Sequence, residues 1–166
     1  MASVRKPVIV RKFSRDWFAG YAGVGFGDEA LEILDPAGKV VRFAWEQVKW
    51  VCFVRELPSG DPANPERLLH KRFAIRPRVA GIWLRLTLND GEELEGLASN
   101  DKSLIDGAGI LLAPPDTRSN TQKIYVPRQA IQTLQVLGLI GVAGHKRPEK
   151  TARQAELFAV ELEVSD

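Results

Sequence analysis

The chain repeats itself. Val41-Arg-Phe43-Ala-Trp-Glu-Gln-Val48-Lys-Trp-Val51-Cys-Phe53-Val54 is followed, eighty-three positions later, by Ile124-Tyr-Val126-Pro-Arg-Gln-Ala-Ile131-Gln-Thr-Leu134-Gln-Val136-Leu137, with apolar residues in step throughout. Upstream, Val8-Ile-Val10 with Phe18-Ala-Gly20-Tyr21 matches Leu84-Arg-Leu86 with Leu94-Glu-Gly96-Leu97. A repeated pattern of this length marks a repeated structural unit. Val48 and Ile131 are therefore expected at equivalent buried sites, and so are Val51 and Leu134.

Each unit reads as short strands. Val8–Phe13, Val40–Phe43 and the apolar run Trp50–Val54 carry β-branched and aromatic residues. Trp83–Leu88 alternates, Asn89-Asp90-Gly91 breaks it with the chemistry of a tight hairpin turn, and Glu93–Leu97 returns. Ile110–Leu112, Ile124–Val126 and Leu134–Leu137 follow. Pro127-Arg-Gln-Ala-Ile131 fits one helical or 3₁₀ turn, since proline at the first position gives up no needed N–H; Trp45-Glu-Gln-Val48 is its counterpart. Five strands with such a turn before the last describe a small bent barrel.

At 166 residues, 45% hydrophobic and 27% charged, the chain is ordinary globular material. The single Cys52 rules out an internal disulfide and, with no apolar leader after Met1, points to the cytoplasm. No apolar run reaches the length of a membrane span, so no membrane partner is expected. Charge is segregated. Ser3–Arg15 holds five cations and no acid, Arg67–Asn89 six cations and no acid, while acids gather at Asp28–Asp35 and Asp90–Asp106. Basic runs meeting on one face would steer an anionic partner.

Glu56–Glu66 holds three prolines and reads as a connector. The expected organisation is a first barrel at 1–57, a Pro-rich then basic linker at 58–80, a second barrel at 81–144, and a linker with a short C-terminal helix or flexible tail at 145–166.

The second half resembles the Sm-like small barrel. The resemblance rests on Leu84-Arg-Leu86-x-Leu88-x-Asp90-Gly91-x-x-Leu94-x-Gly96 and on Ile124-x-Val126-Pro127-x-x-x-Ile131-x-x-Leu134-x-Val136. The first half fits more loosely, with Asp16-Trp17 standing for the Asp-Gly turn. The whole tandem is similar to an uncharacterised bacterial family of two small barrels, through Phe53-Val54-Arg55-Glu56-Leu57 and Pro115-Asp116-Thr117-Arg118-Ser119-Asn120. The resemblance implies a mostly β fold of two tandem Sm-like barrels and places nucleic acid first among ligands.

Other chemistry is sparse. His70 and His145 with one cysteine give no metal-ligand spacing, and no catalytic arrangement stands out, so neither enzyme activity nor a cofactor is expected. Cys52, inside an apolar strand, reads as a buried thiol. Gly23-Val-Gly25-Phe-Gly27 reads as a hairpin loop, because no helix start follows it. Arg11-Lys-Phe-Ser-Arg15 matches the Arg-x-x-x-Arg of cyclic-di-GMP-binding PilZ domains, although Asp101-Lys-Ser103-Leu-Ile-Asp106-Gly107 fits their second element imperfectly. Trp17, Trp45, Trp50 and Trp83 offer stacking surfaces for bases or core packing. Gln154-Ala-Glu-Leu157-Phe158 resembles the sliding-clamp-binding peptide, with Leu157 and Phe158 as pocket anchors.

The sequence thus predicts a non-enzymatic binding module, with nucleic-acid phosphates held by Arg72, Arg76 and Arg78 and supported by Lys71 and Arg15. The alternative is a protein–protein adaptor that uses the tail (Gln154, Leu157, Phe158) or a barrel edge, including self-association. Cyclic-di-GMP binding is third.

Overall fold

The structure is a computed structural model in which residues 4–57, 64–116 and 118–141 are described. It is mostly β. The first half contributes β1 (Lys6–Lys12), β2 (Trp17–Ala22), β3 (Ala30–Leu34), β4 (Val40–Ala44) and β5 (Val48–Val54), with a 3₁₀ turn, Trp45–Gln47, before β5. The second contributes β6 (Gly81–Leu88), β7 (Glu93–Ala98), β8 (Gly109–Ala113), β9 (Thr121–Pro127) and β10 (Ile131–Ile140). A short helix α1 (Ser103–Asp106) precedes β8, and a 3₁₀ turn, Arg128–Ala130, precedes β10. Both expected turns are present. All strands are antiparallel in one sheet, ordered β10-β6-β7-β8-β9-β5-β1-β2-β3-β4.

The repeat holds at the level of hydrogen-bond register. Val8 faces Phe53 and Val10 faces Val51 across β1 and β5; Leu84 faces Val136 and Leu86 faces Leu134 across β6 and β10. A bulge skips Lys49 in the first pair and Gln132 in the second, eighty-three positions apart. Val8 pairs with Gly20, and Leu84 with Gly96. Both glycines sit where the next strand crosses closely. A Cβ on Gly20 would lie 2.5 Å from the Leu34 carbonyl oxygen, and one on Gly96 2.7 Å from Leu112 Cβ. Glycine in a strand commonly marks such an approach.

Of the expected two tandem small barrels, the mostly β character is what the structure shows. Among the described residues the strands form a single sheet that does not close, and β5 pairs with β9 across the two halves: Val51 with Tyr125, Cys52 with Ile124. The cores are shared as well. Val8, Val10, Val48 and Val51 pack with Leu31, Ile33 and Phe43. Ile9, Trp50, Cys52 and Val54, from the opposite faces of β1 and β5, pack with Leu84, Leu86, Leu88, Leu94 and Ile124. β1 and β5 are buried on both faces, and this explains their continuous apolar runs. β6 alternates because one face alone is fully covered.

Both expected equivalences fail in burial. Val48 and Val51 are fully buried, whereas Ile131 is half-buried and Leu134 is 41% exposed. Their backbone positions match. The difference arises because β5 has strands on both sides, whereas β10 is the outermost strand among the described residues.

The connector lies against the body where it is described. Glu66, Leu68 and Pro77 are buried, and the Lys71 carbonyl accepts from the Glu95 N–H. The expected C-terminal helix or tail at 145–166 lies outside the described residues. Among the described residues, no helix is long and apolar enough to cross a membrane.

Candidate functional site

The two halves present the same turn to one cleft. In the first half the Lys12 N–H donates to the Asp16 carbonyl (2.9 Å) and the Arg15 N–H to the Lys12 carbonyl (3.1 Å). In the second, the Leu88 N–H donates to the Glu92 carbonyl (2.8 Å) and the Gly91 N–H to the Leu88 carbonyl (2.9 Å). The counterpart of Asp90-Gly91 is therefore Ser14-Arg15, not Asp16-Trp17 as expected. Gly91 has φ 85°, and Arg15 holds φ 74° in its place. A side-chain-bearing residue in the left-handed region is strained by about 1–2 kcal/mol, and glycine carries no such cost there. The Arg11 guanidinium donates to the Arg15 carbonyl (3.0 Å) and braces the turn.

Between the turns lies a cavity of about 1210 Å³. One wall is Lys12, Phe13, Arg15, Asp16 and Trp17, the other Asp90, Gly91, Glu92 and Lys71, and Trp50, Lys49 and Glu66 reach it from beneath. The floor is held by buried charge. Glu66, 2% exposed, takes a bidentate pair from Arg11 (2.8 and 2.6 Å) and accepts from the Trp50 indole at 3.3 Å. Lys49 bridges Asp90 (2.6 Å) and Glu92, Lys71 also pairs with Glu92, and both ammonium groups lie over the Trp50 ring, at 5.0 and 5.8 Å from its centroid. Lys12 and Arg15 remain at the mouth, where among the described residues neither makes an ion pair with an acid. Lys12 lies 5.7 Å from the Phe43 ring centroid.

Burial works against ionisation of Glu92 and Asp90, but hydrogen bonds from Lys49, joined at Glu92 by Lys71, outweigh it and hold both below the usual carboxylate range. Glu95 is likewise depressed. Its desolvation is outweighed by the Phe73 N–H, by Arg85 and by the Trp83 indole. Groups with lowered folded-state pKa values stabilise the fold above their unfolded values and lose that contribution as pH falls through the folded ones. The thermal midpoint should be flat from about pH 7 to about pH 5 and drop below about pH 4. Scanning calorimetry of wild type and Glu95→Gln should show the acid drop blunted in the variant; equal drops would exclude Glu95 as a source.

The acid-free basic run is not acid-free in space. Lys71 pairs with Glu92, Arg72 with Glu93 and Arg85 with Glu95, so the acidic cluster of the sequence neutralises much of the basic one. Arg72, Arg76 and Arg78 are exposed as expected, and Arg72 and Arg76 have different surroundings. Arg72 lines a shallow groove with His70 and Lys71 beside the cleft, whereas Arg76 donates to the Leu139 carbonyl at the end of β10 (3.3 Å). Arg15 and Lys71 do share the main cleft. The Arg11–Arg15 pair does not form a two-arginine clamp, because Arg11 is engaged with Glu66. Trp17, read from the sequence as a stacking surface, does line the cleft, whereas Glu66, Lys49 and Lys12 escaped sequence reasoning. Placing Gly91 and Arg15 in register was the available signal.

Cys52 is buried, and burial, reinforced by Glu66, pushes its thiol pKa well up, as suits an inert core residue. Gly25 has φ 79° in the β2–β3 loop, whose Phe26 packs against Trp45, Phe53 and Tyr125. Trp45 and Trp50 are both buried, in different cores. Gln154, Leu157 and Phe158 lie outside the described residues.

The model of a family of unknown function, DUF6982, matches residues 4–138. The chain belongs to this family. The DUF6982 match spans both hairpin turns and every residue that lines the cleft, and it stops short of the Gln-x-x-Leu-Phe segment. No curated protein and no solved structure matches the chain.

Proposed function

We propose that this DUF6982 protein is a non-enzymatic module that binds single-stranded nucleic acid in the cleft between its two repeated turns. Arg15 and Lys12 contact phosphates at the mouth, Lys71 and Arg72 continue the track, and Trp17 with Phe13 offers faces for bases to stack on. The observation that carries this reading is Arg15. A strained conformation that glycine would adopt freely is kept with an arginine at a cleft mouth, and strain of this kind concentrates at functional sites. Arg76 and Arg78 are not among the residues that line the cleft or the groove beside it. An Sm-like character for each half belongs to the same proposal. It is supported by the repeated strand order and by the 3₁₀ turn before the last strand of each half.

Fluorescence anisotropy with labelled oligouridine and oligothymidine across a salt series tests it. Affinity should fall steeply with salt. Lys12→Glu with Arg15→Glu should weaken binding about tenfold or more, since two phosphate contacts become repulsive. Arg15→Gly is the sharper variant. Relief of left-handed strain, about 1–2 kcal/mol, offsets the extra chain entropy of glycine, about 0.5–1 kcal/mol, so stability should hold or rise while affinity falls. No binding at low salt, or Arg15→Gly binding as tightly as wild type, would overturn the proposal.

A further inference from the structure

The join between the halves has two unused counterparts. β5 uses the edge away from β1 to pair with β9: Val51 with Tyr125, Cys52 with Ile124, Phe53 with Lys123. By the repeat, β10 corresponds to β5, and β4 to β9. Among the described residues, those two strands are the outer members of the sheet. The molecule therefore ends, on opposite sides, in the same two edges that it joins in its middle.

β10 is also poorly protected as an edge. Its ten residues, Ile131–Ile140, include no charge and no proline, whereas edge strands are normally blunted by such residues. Leu134, Val136 and Leu139 stand exposed on it, at 41%, 55% and 67%. The counterpart of Leu134 is Val51, fully buried, and that of Val136 is Phe53, half-buried at the internal join. The exposed row is what β5 would show if β9 were taken away. β4 is the matching edge, with Val40 54% exposed.

We infer that a second copy of this chain covers β10, adding its β4 antiparallel in the register of the internal join. Transferring that register places Gln135 opposite Val41 and Val136 opposite Val40 of the added copy. The contact is head-to-tail, so copies continue into a ring or a filament according to whether the rotation closes. The occupant is fixed by continuity: the same pairing already holds the two halves together.

Sedimentation of the full chain from micromolar to millimolar concentration should show species of at least twice the 18.4 kDa monomer. Val136→Lys and Val40→Glu each spoil one edge, at exposed positions where the monomer fold tolerates charge. Each variant alone should be monomeric, with circular dichroism unchanged. Mixed in equal amounts they should reassemble, because the mixture restores one Lys–Glu contact and one Val–Val contact. Wild type that stays monomeric at every concentration would overturn the inference. Assembly lost in Val136→Lys but kept in Val40→Glu would also overturn it, since that pattern denotes β10 pairing with another β10. A mixture that remains monomeric would overturn it equally.

Discussion

Glu66→Ala should destabilise the protein by about 3–5 kcal/mol, the cost of breaking a buried ion pair from one side. For a chain of this size that lowers the thermal midpoint by roughly 10 °C. Glu66 is almost fully enclosed, and both its oxygens receive the Arg11 guanidinium. Removing the carboxylate leaves Arg11, itself 16% exposed, without its counter-charge, and removes the acceptor of the Trp50 indole. Arg11→Ala should cost a similar amount by stranding the carboxylate. The double change Arg11→Met with Glu66→Leu should cost far less than the two single changes together, because no charge is then left buried. Chemical denaturation of the four proteins closes the cycle. A loss under about 1 kcal/mol for Glu66→Ala would mean that water reaches Arg11 and that the pair is a surface one.

The second large effect is expected at the paired glycines. Gly20→Val and Gly96→Val should each cost about 3 kcal/mol, as overpacking at a site with no room to relax. Gly20 should be the worse of the two. Its new Cβ meets the Leu34 carbonyl oxygen at 2.5 Å, and backbone cannot swing aside. At Gly96 the nearest atom is Leu112 Cβ at 2.7 Å, with the Ala113 carbonyl oxygen at 3.0 Å. Gly91→Ala is the control. It meets nothing within 4 Å and suffers only from φ 85°, so about 1–2 kcal/mol is expected. Denaturant midpoints compare the three. If Gly20→Ala unfolds at the wild-type midpoint, the close crossing of β2 and β3 is not as tight as its geometry requires.

Much of the fold was legible in the repeat. The apolar pattern placed β1, β5, β6 and β10 and both 3₁₀ turns, because burial and proline chemistry act locally. The distinction between Trp50–Val54 and Trp83–Leu88 was visible too, as a continuous run against an alternating one. Its meaning was not, since pairing between Val51 and Tyr125 leaves no mark in either segment alone. The candidate site was less legible. Arg67–Asn89 reads as a basic surface only until Glu92, Glu93 and Glu95 fold against it. Ion pairing between residues far apart in sequence depends on how strands cross, which composition does not carry. Arg15 could be named for its charge, but its role at the cleft depends on standing where Gly91 stands in the other half.

The sharing of β1 and β5 between two cores has a consequence for how the chain comes off the ribosome. Ile9, Trp50, Cys52 and Val54 are synthesised early, yet most of the residues they pack against are Leu84, Leu86, Leu88, Leu94 and Ile124. Until Ile124 has emerged, the nascent first half carries a bare apolar face with an unpaired strand beside it. Such intermediates are prone to aggregate, and contacts between residues so far apart in sequence form slowly. Biogenesis of this chain therefore has a vulnerable interval whose length is set by translation speed through the Pro-rich connector and β6–β9.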